Sequence, residues 1–537
     1  MKLNNESLKD STFWEKAGIF LPRFDREKMI TATKAAPRWV HFGAGNIFRA
    51  FPAAMMQQLL EQGIESTGII VAEGYDGEII DKCFTAFDNL TLLVTLKSDG
   101  TTEKIIISSV AQALRMDKEF AVLKEIFTAP SLQMASFTIT EKGYSLTGRD
   151  GTLFLDIAED IKTGPAGSVT PKSYLGRIAS LLHERFICGA LPLAMVSLDN
   201  CSHNGDILFA AMEAIAKGWV ENGTAGIGFL DYIRDKNKLS FPWTMIDKIT
   251  PRPDDSVRDM LISCGLEDMQ GSVTEKNTYI APFVNAEETQ YLVAEDTFPN
   301  GRPALEKAGM LFTDRETVDR IEKMKVCTCL NPLHTSLAVF GCLLGYTRIS
   351  EEMKDSDLVK LIEGVGYNEG LPVVTDPGII KPKEFIDQVI KVRLPNPFMP
   401  DAPQRIAMDS SLKIPIRFGE TIKACKNAGK NCQDLKFIPL VFAGWLRYLL
   451  GINDEGNPFE VSPDPNYESL SACLSGISLG QTGPFHSKLK PILSNPAFFG
   501  VNLYDIGLGE RVEELFTQML AAPGSVREVL NRIVTSR

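Results

Sequence analysis

The sequence predicts an α/β fold: a mostly parallel sheet covered by helices in the N-terminal part, followed by a mainly α-helical C-terminal part. Up to about residue 296, short apolar runs alternate with amphipathic helical stretches, the pattern of a parallel sheet built from crossover units. Beyond that point the apolar spacing is largely helical. The chain has 537 residues, and domains commonly run roughly 100–200 residues, so one core is not enough. Two domains are expected, 1–296 and 297–537, divided at the Pro- and Gly-containing connection 296–303.

The elements follow in order. Trp39-Val-His-Phe42 reads as a short buried strand, Gly43-Ala-Gly45 as a tight turn, and the next stretch as a helix with Ile47, Phe51, Met55 and Leu59 on one face. A second apolar run, 68–72, leads into Glu73 and Asp76, so carboxylates stand at its carboxyl end. This unit resembles a mononucleotide-binding βαβ. Further strands are predicted at 91–96, 104–110, 134–140, 191–197 and 290–294, with helices at 119–127 and 207–220. The second domain should carry helices at 318–324, 333–344, 358–365, 385–392, 435–450 and 512–520. No internal repeat or low-complexity tract interrupts them.

Composition narrows the partners. A formal net charge of -12 disfavours nucleic acid and anionic membrane, since both need an attractive field. Any anionic ligand must meet a local basic cluster. The start has no apolar leader, and the most apolar stretch, 437–451, is broken by Pro439 and Arg447, so neither export nor membrane spanning is expected. Ten cysteines without a regular framework point to a reducing cytoplasm. Cys327 and Cys329 form a lone C-x-C, so no metal site is expected. No motif addresses self-association.

A dinucleotide site needs a turn without side chains, so that backbone N–H groups approach the pyrophosphate. Gly43 and Gly45 meet that need, but Phe48 stands where a third glycine is usual, and an ordinary strand–helix turn remains the equal alternative. Arg49 is placed to face a phosphate. Glu73 or Asp76 is placed to accept from ribose hydroxyls and to repel a 2′-phosphate, which favours NAD over NADP.

Around residue 331 the pattern is richer. Asn331 suits an N-cap and Pro332 a first helical position, so a helix should begin there with His334 in its first turn. Asn331 and His334 then address one small ligand. Upstream, Glu322 and Lys325 are three apart and able to pair, and a lysine beside polar groups suits general-base work. The plainer alternative is that Asn331 only caps, His334 packs between helices and Lys325 is solvated.

Several motifs occur together and in order: Gly43-Ala-Gly45-Asn-Ile-Phe-Arg49, Thr140-Glu141-Lys-Gly143-Tyr144, Ser197-Leu-Asp199-Asn200 with Asn204-Gly205, the run from Phe241 through Asp247 to Pro251, Glu322-x-x-Lys325 with Asn331-x-x-His334, and Arg405-x-x-x-Asp409-x-x-x-Lys413. In these the chain resembles the mannitol dehydrogenase family of polyol-specific long-chain dehydrogenases, over about residues 40–415. The resemblance implies a metal-independent, NAD(P)-linked alcohol/ketone oxidoreductase with a Rossmann-like first domain and a helical second one. It implies that Lys325 is the general acid/base, that Asn200 and Asn331 polarise the reacting oxygen, and that His334, Asp247, Arg405 and Lys413 position substrate hydroxyls. Glu141 falls in a motif on the cofactor side.

Two departures matter. The family usually spaces this lysine five residues before the asparagine and follows the asparagine with glycine; here the spacing is six and Pro332 follows. A bulge that absorbs one residue keeps Lys325 in place, and Lys323 is the fallback. In length and in its Asn-Pro-Leu-His version the chain most resembles the hexuronate branch of the family, which implies reduction of D-fructuronate by NADH to D-mannonate; mannitol or arabinitol 2-dehydrogenase and tagaturonate reductase activities stay open. A sugar acid or polyol is thus the expected partner. A non-catalytic nucleotide-binding sensor is the reading from another class.

Overall fold

The computed structural model describes residues 1–148, 150–165 and 170–536. Met1–Lys97 with Thr101–Val318 forms one unit, and Ser98–Gly100 with Asp319–Arg537 the other.

The first unit is organised by a six-stranded sheet of β1 (Trp39–Phe42), β2 (Ile69–Glu73), β3 (Val110–Arg115), β4 (Met134–Phe137), β5 (Leu193–Ser197) and β6 (Leu239–Ser240). All neighbours are parallel, in the order β3-β2-β1-β4-β5-β6. The chain runs outward one way from β1 and the other way from β4. The two strands therefore flank a switch point whose carboxyl edge is where such sheets bind dinucleotides. Helices cover both faces, so both faces of each strand are apolar. Trp39, Ile69, Val71, Met134 and Val196 enter one core, while Val40, Phe42, Ile70, Phe137 and Met195 enter the other. Each such fully buried side chain contributes roughly 1.5–3 kcal/mol.

The helix expected after β1 is broken in two, α1 (Asn46–Ala50) and α2 (Pro52–Glu61). Pro52 lacks an N–H and crowds the residue before it, and Phe51 stands at φ -127, ψ -70 between them. The run 104–110 divides likewise. Thr102–Ile107 pairs antiparallel with Thr91–Leu96 in a separate four-stranded sheet, and the chain turns at Ser108 and Ser109 into β3. On the second core face lie α3 (Tyr174–Ile187) and α4 (Asn204–Glu221). Beyond β6, β7 (Thr244–Asp247) pairs antiparallel with β8 (Tyr291–Glu295), and β9 (Leu311–Thr313) pairs parallel with β8. That last pairing keeps the segment after the 296–303 connection in the first unit.

The second unit is mainly helical. A 29-residue helix, Arg315–Leu343, whose first four residues still count with the first unit, contains α5 (Arg315–Met324), a π turn at Lys325–Cys329 and α6 (Asn331–Leu343). It is long and apolar enough to cross a bilayer, but most of its apolar window is buried, as in a core helix. Later come α7 (Ser410–Ile414), α8 (Phe437–Tyr448) and α9 (Gly509–Met519), with α8 packed between α6 and α9.

Candidate active site

At the switch point Gly43 has φ +106, and a Cβ there would lie 2.3 Å from the Thr138 carbonyl oxygen, so no other residue fits. Gly45 is different: a Cβ would meet nothing within 4 Å. The first glycine shapes the turn and the second keeps space open beside it, an arrangement that fits a dinucleotide pyrophosphate. Behind the turn runs a hydrogen-bond chain whose direction is fixed at both ends. Trp39 Nε1–H donates to Ser136 Oγ (2.6 Å), which bonds His41 Nδ1 (2.7 Å). His41 Nε2 meets Thr138 Oγ1 (2.8 Å), whose hydroxyl donates to the Gly43 carbonyl (3.2 Å). Indole can only donate and a carbonyl only accept, so Thr138 Oγ1 accepts from His41 Nε2–H, and the Ser136 hydroxyl is left to donate to Nδ1 of a neutral ring. Burial pushes its pKa down to about 3, consistent with that state.

The charged residues expected around this turn are placed differently. Arg49 does not face outward to a phosphate: it is buried, with Nε donating to Thr91 Oγ1 (3.1 Å) and Nη1 to the Ala281 carbonyl (2.9 Å). The short α1 turns it toward the neighbouring sheet. Glu73 and Asp76 are likewise not presented to a ribose. Glu73 accepts from the N–H groups of Ala44 (2.9 Å), Tyr75 (2.8 Å) and Asp76 (3.1 Å), so its carboxylate links the turns after β1 and β2. Asp76 accepts from Thr274 Oγ1 (2.6 Å) and is buried. Glu141, in the short turn Glu141–Tyr144 after β4, is exposed at the same edge of the sheet.

Farther along that edge, Asn200 is exposed in the loop after β5, and Asp247 is buried at the end of β7. Asn204 joins their supports. Its Nδ2 donates to the Asp199 carbonyl (2.9 Å) and Thr244 Oγ1 (2.9 Å), and its Oδ1 accepts from Thr244 N–H (3.0 Å). Next to Asn200, the Asp199 carboxyl bonds the Tyr144 hydroxyl and Ser197 Oγ, and burial raises its pKa to about 7.

In the second unit the extra residue between Lys325 and Asn331 is taken up by the π turn. Leu330 N–H donates to the carbonyl of Lys325, five residues back (3.1 Å), and the α pattern resumes with His334 N–H on the Leu330 carbonyl (3.0 Å). Asn331 therefore does not cap a new helix, as expected from its type; it lies inside a continuous one with no side-chain cap. The wide turn also accommodates Pro332, which cannot donate back along an α ladder. Lys325 is buried on this turn, whereas Lys323 is exposed and paired with Asp319 (2.7 Å).

His334, one turn beyond, is largely buried, with Nε2 3.5 Å from Asp401 Oδ2, beyond hydrogen-bonding range. Its pKa is pushed down to about 4, first by burial and then by the charges of Arg417, Arg393 and Arg405, against the pull of Asp401. Arg405 is itself ion-paired with Asp401. Lys413 donates to the carbonyls of Met408 and Ile406 (3.3 Å to the latter), and burial lowers its pKa. The structure thus gathers His334, Arg405 and Lys413, and adds Asp401, Arg393 and Arg417.

Two family models match the chain: the Mannitol dehydrogenase Rossmann domain over residues 37–307 and the Mannitol dehydrogenase C-terminal domain over residues 317–507. The chain belongs to the mannitol dehydrogenase family. Among curated relatives, a D-mannonate oxidoreductase of Thermotoga maritima is 53% identical over 540 residues, covering 99% of each chain. Among solved structures, a D-sorbitol dehydrogenase in substrate-free form aligns with a TM-score of 0.81 at 24% identity, covering 99% of this chain and 100% of that one. The mannitol 2-dehydrogenase of Pseudomonas fluorescens, solved as a ternary complex with NAD and D-mannitol, aligns with a TM-score of 0.70 at 24% identity over the full length of both. These two share the fold.

For a mannitol dehydrogenase family member, several residues that shape the site were not singled out from sequence. His41, Ser136 and Thr138 brace the glycine turn, Asn204 and Thr244 tie the loop of Asn200 to β7, and Arg417 joins the basic cluster. Of these, Asn204 and Thr244 lay in quoted motifs. Among the described residues, no cluster of three His, Cys, Asp or Glu side chains is close enough to hold a metal ion.

Proposed function

We propose that the chain acts as a D-mannonate oxidoreductase, interconverting D-fructuronate and D-mannonate with NADH and NAD. The observation that carries this reading is the full-length relationship to the Thermotoga maritima enzyme of that name. A dinucleotide cofactor, which we take to be NAD, is supported by the strand order and the open glycine turn. Gly43, Gly45 and Glu141 remain the proposed cofactor contacts, with Glu73 supporting the turn from behind through the Ala44 N–H; Arg49 and Asp76 are not retained as contacts.

The bound cofactor supplies hydride to the ketone carbon. Lys325 gives a proton to the ketone oxygen in reduction and takes it back in oxidation, while the amides of Asn331 and Asn200 donate to the oxygen as negative charge develops on it. His334, neutral at pH 7, both donates to and accepts from substrate hydroxyls; Asp247, Arg405 and Lys413 fix the others. The free thiols support cytoplasmic residence. NADH consumption measured against D-fructuronate, D-tagaturonate, D-fructose and D-xylulose tests the reading. D-Fructuronate is expected to give the highest kcat/KM, and turnover of D-fructose alone would overturn it.

A further inference from the structure

The cations facing His334 are unequally compensated. Arg405 pairs with Asp401, the acid nearest His334 Nε2, and Lys413 spends donors on the Met408 and Ile406 carbonyls. Arg417 stands apart. It lies on the π turn Pro415–Gly419 directly after α7, mostly buried, and its one hydrogen bond is from Nη1 to Thr335 Oγ1 (2.5 Å), on the residue after His334. Among the described residues no carboxylate pairs with it. Its Nε and Nη2 donors have no protein acceptor, yet neither is sealed from solvent.

A largely buried guanidinium without a counter-ion is costly to fold, and one neutral hydroxyl offsets little of that cost. The Nε–Nη2 edge is the planar fork that takes a carboxylate through two parallel hydrogen bonds. Thr335 holds the opposite side of the group, so the fork is aimed rather than free to rotate. Burial pulls the guanidinium pKa down to about 10, still well above neutrality, so the charge is present when a ligand arrives.

We propose that Arg417, aimed by Thr335, seats the carboxylate of a sugar-acid substrate and is the residue that sets preference for a uronate over an uncharged ketose. This rests on the oxidoreductase reading above and extends it. Arg405 and Lys413 then serve the hydroxyls, as the family resemblance implies, and the acidic chain meets its anionic substrate at one uncompensated cation.

The test is steady-state NADH oxidation with D-fructuronate by wild type, Arg417→Gln and Arg417→Lys. Arg417→Gln is expected to raise the KM for D-fructuronate on the order of a hundredfold, as for loss of one partner of a buried charge pair, with kcat falling less than about tenfold. Arg417→Lys, which keeps the charge but not the fork, is expected to recover part of the loss. A KM within about twofold of wild type in Arg417→Gln, or a fall confined to kcat, overturns the seat while leaving the activity standing. A wild type that reduces only uncharged ketoses removes the activity reading and the seat together. Should Arg417→Gln not fold, Thr335→Val decides: a KM raised about tenfold supports the seat, and an unchanged KM overturns it.

Discussion

The glycine turn after β1 and the basic cluster around His334 handle polar groups in opposite ways. At the turn, the chain from Trp39 through His41 to the Gly43 carbonyl runs without a gap, and the Glu73 carboxylate takes three backbone N–H groups. In the second unit, among the described residues, His334 Nε2 has no hydrogen-bond partner, Arg417 no carboxylate partner, and the buried Glu352 no partner at either carboxyl oxygen. Satisfied groups hold a shape, whereas an unsatisfied donor still reached by solvent, as on Arg417, is left for a ligand. The turn is therefore built to present backbone, and the cluster to present side chains.

The largest expected effect lies at Lys325. Lys325→Ala should lower kcat by roughly 10²–10⁴-fold while NADH affinity, followed by fluorescence titration, stays near wild type. Lys323→Ala should behave as wild type, because Lys323 faces solvent beside Asp319. The reverse result would place the proton transfer on the other lysine.

The two glycines sharpen the contrast between shaping and presenting. Gly43→Ala meets both a left-handed φ and the Thr138 carbonyl, so thermal unfolding should show a loss of at least about 2 kcal/mol. Gly45→Ala meets no protein atom and should leave the melting temperature unchanged, while NADH binds on the order of tenfold more weakly because the methyl enters the space read as the pyrophosphate seat. Unaltered NADH affinity in Gly45→Ala would put the pyrophosphate elsewhere.

Smaller effects should appear in pH dependence, with opposite signs in the two units. His41 is held near 3 against an ordinary 6.5, so the unfolded chain binds the extra proton between those values, and stability falls as pH drops from 6.5 toward 3. Glu352 is pushed up to about 9 from 4.5 by burial, with Asp355 adding to the shift, so the folded state keeps a proton the unfolded chain loses, and stability falls as pH rises from 4.5 to 9. Each slope approaches about 1.4 kcal/mol per pH unit. Urea midpoints across pH should lose the acid arm in His41→Gln and the alkaline arm in Glu352→Gln.

Much of this arrangement was legible in the sequence because it is written locally. The apolar runs of β1, β4 and β5 and the glycines between β1 and α1 announce themselves within a few residues. The fate of Arg49 does not, since Thr91 and Ala281 lie far away along the chain. The same holds for His41, whose partners Ser136 and Thr138 belong to the neighbouring strand, so residue type alone gave it no company. Arg417 was passed over because it sits four residues beyond the motif that ends at Lys413, and its relation to Thr335 exists only once two helical segments meet. Asn331 and Pro332 suggested a helix start because their types suit one; the turn before them, wide enough for proline, was the missing fact.

That turn has a consequence for how the chain is compared with others. An α-helix is a dial that advances about 100° with each residue, so one added residue should swing every later side chain to a different bearing. The wide loop at Lys325–Cys329 absorbs the added residue in one place. Linear spacing and angular position are thereby uncoupled, and a search that fixes the interval between lysine and asparagine would pass over this protein although the α pattern resumes at Leu330.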